Sequence, residues 1–350
     1  MSVATETARA PLYQVRDLKV HFPIRRSGGR VVRALDGVDL EWRRGEVLGI
    51  VGESGCGKST LGRALLGLQP ATSGEILVDG APLATSDLRA VRRRIQMIFQ
   101  DPYQSLNPRQ TVASLVMEPL AIHGVGGPER VARAVAALES AGLAPAARYW
   151  ERYPHELSGG QRQRVAIAAT LVLEPEGIIC DEPVSMLDVS VQAQVLRVLM
   201  DLRESRSLAL LFITHDLGLA WALCDRIAVM YLGRIVEQGT AEQVIEHPRH
   251  PYTQALVAAV PSPNRAAGVK LLPGEPPDAA HIPPGCRLHP RCPHRFEPCD
   301  KAVPGMTQIG DLVPRGFRFE PGEHMARCYL YSPAIEPQVL SEVRREKDRR

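Results

Sequence analysis

The sequence predicts an α/β fold, a parallel β-sheet with an inserted helical block. Three observations point to it. The apolar run 47–51 leads into a glycine-rich loop and then Leu61, Leu65 and Leu68 at helical spacing, a strand–loop–helix unit. Strand signals return at 177–180 and 208–213, with helix-like segments at 191–203 and 217–224. From residue 101 to about 173 the pattern is mostly helical, which interrupts the alternation.

The elements follow in order. Residues 12–22 carry Leu18, Val20 and Phe22 in alternation, a strand pattern. The stretch 23–33 is basic and contains glycine, so a loop is expected. Strands 34–42 and 46–51 are split by the turn Arg43-Arg44-Gly45. A strand at 75–80 ends in the turn pair Asp79-Gly80. Another short strand, 95–99, places Gln100 at its end. In the helical block Pro128 suits a first helical position, and Val131, Val135 and Leu138 make one apolar face before Gly142. Residues 226–231 and 234–237 read as a hairpin around Leu232-Gly233. Beyond about His247 proline becomes frequent, and Cys286, Cys292, Cys299 and Cys328 all fall there. The last residues, 336–350, are highly charged and expected to form a solvated tail.

Composition narrows the function classes. The chain has 350 residues, 45% of them hydrophobic, enough for a substantial core. Its 42 basic and 39 acidic residues leave a net charge of +3, too balanced for nucleic acid as the main partner. There is no signal-peptide pattern at residues 1–11 and no apolar run of membrane-spanning length. The chain is therefore expected to be made and kept in the cytosol. Seven cysteines there argue for metal, cluster or buried thiols rather than disulfides.

The chemistry concentrates in a few stretches. Gly52-Glu53-Ser54-Gly55-Cys56-Gly57-Lys58-Ser59-Thr60 matches G-x-x-x-x-G-K-[ST]. Gly52, Gly55 and Gly57 allow the backbone to form a nest of N–H donors around phosphate oxygens. Lys58 adds a point charge for the β- and γ-phosphates, and the Ser59 hydroxyl suits Mg²⁺. The helix that follows points its N-terminus at the anion. Asp181 ends an apolar strand and can hold Mg²⁺, while the adjacent Glu182 can orient or deprotonate the attacking water. Alone, that acidic pair would be read as a helix cap. His215 and Gln100, at two further strand ends, could reach the γ-phosphate and the Mg²⁺ shell; alone, each is an ordinary polar strand end. Ser158-Gly159-Gly160-Gln161 is a second phosphate-seeking helix start, or simply a turn and N-cap. Two such elements in one chain suggest that the second serves a nucleotide held by another subunit.

Together these residues resemble the nucleotide-binding subunit of an ABC transporter. Gly52–Thr60 resembles Walker A, Leu157 to Gln161 the LSGGQ signature, and 178–181 with Glu182 Walker B and its catalytic glutamate. Gln100 matches the Q-loop, Ser185-Met186-Leu187-Asp188 the D-loop, and His215 the switch histidine. Phe22 falls where the family places an aromatic on adenine; read from the strand alone, it is a core residue. Met186, Cys180 and Ala169-Thr170 depart from the usual pattern without removing a catalytic group. The resemblance implies a P-loop ABC ATPase core with an antiparallel β subdomain, an inserted helical subdomain, and a small Cys/Pro-rich C-terminal extension. The bounds are 12–248 for the nucleotide-binding domain, about 101–173 for its helical part, and 249–335 for the extension.

Gln100-Asp101-Pro102-Tyr103-Gln104-Ser105-Leu106-Asn107-Pro108-Arg109, Arg152-Tyr153-Pro154-His155-Glu156 and His250-Pro251-Tyr252-Thr253-Gln254-Ala255-Leu256 are similar to the oligopeptide/dipeptide importer branch. Within it the chain looks closest to the second, F-type ATPase. That implies ATP and Mg²⁺, a second and non-identical ATPase paired head-to-tail, two permease subunits contacted through residues 101–120, and an extracytoplasmic substrate-binding protein. It also implies a place at the cytoplasmic face of the membrane. Di- and oligopeptides are the expected cargo; relatives also carry nickel, glutathione or other small solutes. A soluble ABC ATPase acting on DNA or ribosomes usually has two cassettes or a long coiled coil, absent here. A cluster-containing regulator that binds ATP only as a signal is opposed by the intact Glu182 and His215.

The extension cysteines are spaced C-x5-C-x6-C-x28-C. Four thiolates suit zinc or an iron–sulfur cluster, and these wide gaps do not favour zinc. Unligated thiols remain the plain alternative. In the peptide-importer branch similar extensions bind a [4Fe–4S] cluster, which the resemblance implies here. Cys56, Cys180 and Cys224 are read as packing.

Overall fold

The computed structural model describes residues 11–24, 29–101, 105–260, 272–309 and 324–332. Two sheets organise it. β1 (Pro11–Pro23), β2 (Val31–Arg43), β4 (Ser73–Val78) and β5 (Ala81–Pro82) form an antiparallel sheet in the order β2-β1-β4-β5. The larger sheet has the order β11-β12-β10-β9-β3-β8-β7-β6. Its parallel part is β6 (Ile95–Ile98), β7 (Gly177–Asp181), β8 (Ala209–Thr214), β3 (Val47–Val51) and β9 (Arg226–Tyr231). The antiparallel edge is β10 (Arg234–Thr240), β12 (Met325–Ala326) and β11 (Thr307–Gln308).

Both faces of the parallel part are covered, so its strands are apolar throughout rather than alternating. Val47, Val51, Ile178, Cys180, Leu210, Phe212, Ile227 and Val229 point into a core shared with the helices. Leu48, Ile50, Ile179, Leu211, Ile213, Ala228 and Met230 point into a second core shared with the antiparallel sheet. The neighbouring residues of each strand thus divide between two cores, as a period of two requires.

Nine helices join the strands among the described residues: α1 (Lys58–Leu65), α2 (Leu88–Arg94), α3 (Val112–Ile122), α4 (Gly127–Ser140), α5 (Gly159–Leu171), α6 (Val189–Arg206), α7 (Leu217–Leu223), α8 (Ala241–Glu246) and α9 (Pro251–Ala259). α3, α4 and α5 pack on one another and make up the helical block. Its α4 buries Ala134, Ala137 and Leu138, but Val131 is exposed, so the expected apolar face is one turn shorter. The β9–β10 turn places Leu232 and Gly233 both at positive φ, the geometry of a tight hairpin.

The structure removes one alternative and adds one feature. Phe22 is 37% exposed while Leu18 and Val20 are fully buried, so it does not belong to the strand core. The larger sheet is not purely parallel: extension strands β12 and β11 lengthen its edge, with Glu237 opposite Ala326 and Gln238 opposite Met325. The charged tail 336–350 and residues 102–104 of the expected permease contact lie outside the described residues. No helix among the described residues is long and apolar enough to cross a membrane.

Candidate active site

The strand order explains the site. The phosphate loop follows β3; β8 lies beside it, then β7, then β6. Their carboxyl ends share one edge, where open α/β sheets hold ligands. Gly57 starts α1 at φ 108°, and a Cβ there would stand 2.2 Å from the Ala34 carbonyl oxygen, so no larger residue fits. Lys58 is buried, and its Nζ donates to the carbonyls of Gly52 (2.8 Å) and Glu53 (3.0 Å), which folds the loop back over its own lysine.

Ser59 Oγ donates to Asp181 Oδ1 at 2.9 Å. Burial pushes the Asp181 carboxyl above its ordinary range, and the Ser59 hydrogen bond opposes this. The two hard oxygens face each other at the helix start, a donor set that suits Mg²⁺.

Glu182 is the hub of the remaining residues. Gln100 Nε2 donates to its Oε2 at 3.1 Å, and His215 Nδ1 lies 3.2 Å from its Oε1. Glu182 has φ 47°, a left-handed backbone costing a non-glycine residue about 1–3 kcal/mol. Its N–H donates to the Ile213 carbonyl at 2.9 Å, which ties the end of β7 to β8. The turn around His215 is held by Thr214 Oγ1, which accepts from Asp216 N–H, and by the Asp216 carboxylate, which caps α7. His215 itself remains 61% exposed, free to meet a ligand.

Ser158-Gly159-Gly160-Gln161 stands apart. Ser158 Oγ accepts from Gln161 N–H, and Gln161 Oε1 accepts from Ser158 N–H, a reciprocal cap of α5. Gly160 has a packing reason: a Cβ there would stand 2.3 Å from Val191 Cγ1 of α6. Asp188 caps α6, accepting from Val191 N–H at 3.0 Å and Ser190 Oγ at 2.7 Å. The structure gives none of these side chains a hydrogen bond or ion pair to Lys58, Ser59, Asp181 or Glu182. Next to Asp188, Met186 and Val189 are 59% and 80% exposed.

Two contacts to Glu53 were not legible as functional. Its N–H donates to Tyr252 Oη at 2.9 Å, and its carboxylate lies 3.4 Å from Arg291 Nη1. Tyr252 sits in one of the quoted motifs and Arg291 adjoins Cys292, but neither carries a signal for phosphate chemistry.

The four extension cysteines converge. Burial pushes every thiol up, Cys292 to about 12, and Cys328 is pushed further by Cys286, Cys292 and Cys299. The expected iron–sulfur centre finds no support in this arrangement. Among the described residues no group of three or more His, Cys, Asp or Glu side chains is arranged to hold a metal ion. Cys56, Cys180 and Cys224 are buried, as packing requires.

Comparison with known proteins places this geometry. Residues 35–185 match the ABC transporter family, and residues 236–299 match the C-terminal region of the oligopeptide/dipeptide transporter family. The dipeptide transport ATP-binding protein DppF of Escherichia coli is 44% identical over 337 residues, spanning 93% of this chain and all of that protein. The putative oligopeptide transport ATP-binding protein YkfD of Bacillus subtilis is 44% identical, over 93% of this chain and 97% of that one. The ATP-binding cassette MJ0796, solved as a dimer in a post-hydrolysis state with ADP and Pi, superposes with a TM-score of 0.59 at 30% identity, covering 65% of this chain and 98% of that one. With similarity over nearly the full length, including the extension, the chain belongs to the ATP-binding subunits of the oligopeptide/dipeptide ABC transporter family.

Proposed function

We propose that this chain hydrolyses ATP to power import of dipeptides or oligopeptides, working at the cytoplasmic face of the membrane against two permease subunits. The observation that carries this reading is the joint match of cassette and extension to relatives named for peptide import. The chain pairs head-to-tail with a second ATPase, and a substrate-binding protein delivers cargo to the permeases. The exposed Met186 and Val189 beside Asp188 support the pairing, since two uncovered apolar side chains flank the D-loop. The domain division at 248/249 belongs to the same reading.

In this reading the nest from Gly52 to Thr60 binds the phosphates, with Lys58 swinging from its two carbonyls onto the β- and γ-oxygens. Ser59, Gln100 and Asp181 would hold Mg²⁺, which when bound neutralises charge on the phosphates. Glu182 takes the proton of the attacking water, and Gln100 and His215 hold its carboxylate in place. His215, exposed on its other side, donates to the γ-phosphate. Phe22 stacks on adenine. Ser158, Gly159, Gly160 and Gln161 serve the partner's nucleotide, so the isolated chain holds half a site. The four cysteines hold an iron–sulfur cluster, as the likeness of the extension to the peptide-importer branch implies.

The test is purification of the tagged chain from detergent-solubilised membranes. Two multi-span permeases and a second ATPase should accompany it, and ATPase activity should rise with a peptide-loaded binding protein. Recovery with no membrane partner would overturn the transport reading. Iron and acid-labile sulfide should be present after anaerobic purification; stoichiometric zinc without iron would remove the cluster.

A further inference from the structure

The C-terminal extension reaches the phosphate loop, and the contact is concentrated on one residue, Glu53. Its backbone N–H donates to Tyr252 Oη at 2.9 Å, and its carboxylate meets Arg291 Nη1 at 3.4 Å. Tyr252, on the first turn of α9, is fully buried and packs its ring against Tyr231 at the end of β9, with centroids 4.6 Å apart. Arg291 is 8% exposed; it also donates to Tyr231 Oη at 3.4 Å and to the Pro273 carbonyl at 3.2 Å. Two separate parts of the extension therefore close on the second residue of the loop, with Tyr231 packed behind them. Beside them an open cavity of about 510 Å³ lies between Glu53–Cys56 and the extension residues Glu275, Pro276 and Pro277.

A phosphate nest binds well only if its N–H groups are set before the anion arrives. The loop is glycine-rich, so its own sequence leaves many conformations open. The N–H of Glu53 is committed to Tyr252, which fixes the peptide plane from which the remaining donors start. We propose that Tyr252 and Arg291 are positioning residues for ATP binding, holding the entry of the phosphate loop through Glu53 and making the extension a working part of the nucleotide site. Arg291 is the neighbour of Cys292, so the cysteine module is built into the same latch. This rests on the reading that Gly52 to Thr60 bind the phosphates of ATP.

The experiment measures ATP affinity of the full-length chain, and kcat and KM of the assembled transporter. Tyr252→Phe removes one hydroxyl and keeps the packing; it leaves the Glu53 N–H without its acceptor and should weaken ATP binding about five- to tenfold. Arg291→Ala and Glu53→Gln should each weaken it about threefold, and the double variant no more than Arg291→Ala alone. Arg291→Lys should restore most of the loss, because it keeps a charge on Glu53. In the transporter the effect should fall on KM more than on kcat, a split that general loss of structure does not give. Tyr252→Phe affinity within about twofold of wild type, or Arg291 and Glu53 effects that multiply, would overturn the proposal. If Tyr252→Phe melts early, the Arg291/Glu53 cycle decides by itself. Lys58→Ala separates the two readings: unchanged ATP affinity there would refute the phosphate-loop reading, whereas loss there with normal Tyr252→Phe and Arg291→Ala would refute only the latch.

Discussion

Ser59 and Asp181 are 122 positions apart in the chain and share a 2.9 Å hydrogen bond. Ser59 lies on the first turn of α1, past the loop that follows β3, and Asp181 ends β7; β3 and β7 do not touch, since β8 runs between them. Asp181→Asn should therefore fold normally, since an amide oxygen can still accept from Ser59. It loses the charge that faces a divalent cation. Its Mg²⁺-dependent turnover should fall about 100-fold or more, with a smaller loss for Ser59→Ala. Steady-state ATPase assays across a Mg²⁺ titration measure this.

Glu182→Gln should retain ATP binding and lose hydrolysis by about 10²–10⁴-fold, the usual contribution of a general base. Gln100 and His215 each hold one oxygen of that carboxylate, so Gln100→Ala and His215→Ala should lower kcat by less. Single-turnover kinetics with saturating ATP separate binding from chemistry. Near-normal turnover by Glu182→Gln would remove it from the base role.

Gly160→Ala should destabilise the fold by about 1–3 kcal/mol, because its Cβ would meet the stiff β-branched Val191. Val191→Ala in the same chain should recover part of that loss. Denaturant unfolding of both variants checks it. Equal stability of Gly160→Ala and wild type would show that α5 and α6 can separate at this point without cost.

His250 predicts an acid-sensitive stability. Burial lowers its pKa to about 4, with Glu237 opposing and Arg327 adding to the shift. Its Nδ1 accepts from Tyr252 N–H, so the neutral ring caps α9. The unfolded chain takes up a proton as pH falls through about 6.5, while the folded chain does so only near 4. Stability present above pH 6.5 is thus lost between 6.5 and 4, by on the order of 3 kcal/mol. His250→Asn keeps a capping acceptor and does not titrate. The gap in melting temperature between pH 7 and pH 5 should shrink in that variant.

Much of the fold was legible because its signals are local. The apolar run before Gly52, the acidic pair after 178–180 and the turn at Leu232-Gly233 each depend on a few neighbouring residues. Where sequence reasoning went astray, the missing fact was a neighbour. The alternation of Leu18, Val20 and Phe22 left a core reading open for Phe22, and only the structure shows that the buried run stops before it. Val131 has the right spacing for the α4 stripe but sits before the point where the helix is covered. That Gly160 must also leave room for Val191 is likewise invisible in the sequence.

The sequence by itself determined the chemistry this chain can offer: a lysine in a glycine-rich loop, a carboxylate pair, a glutamine and a histidine at strand ends, and four late cysteines. It could do so because each motif is a short run whose backbone geometry follows from its own residue types. Only the tertiary structure decided which of these groups meet. It gathered Gln100 and His215 on Glu182, left Asp188 and Ser158 as helix caps, and brought Tyr252 and Arg291 onto Glu53 from about 200 and 240 residues away. Such contacts are set by strand order and by which face of the sheet each element covers, and a linear reading of residue types contains neither.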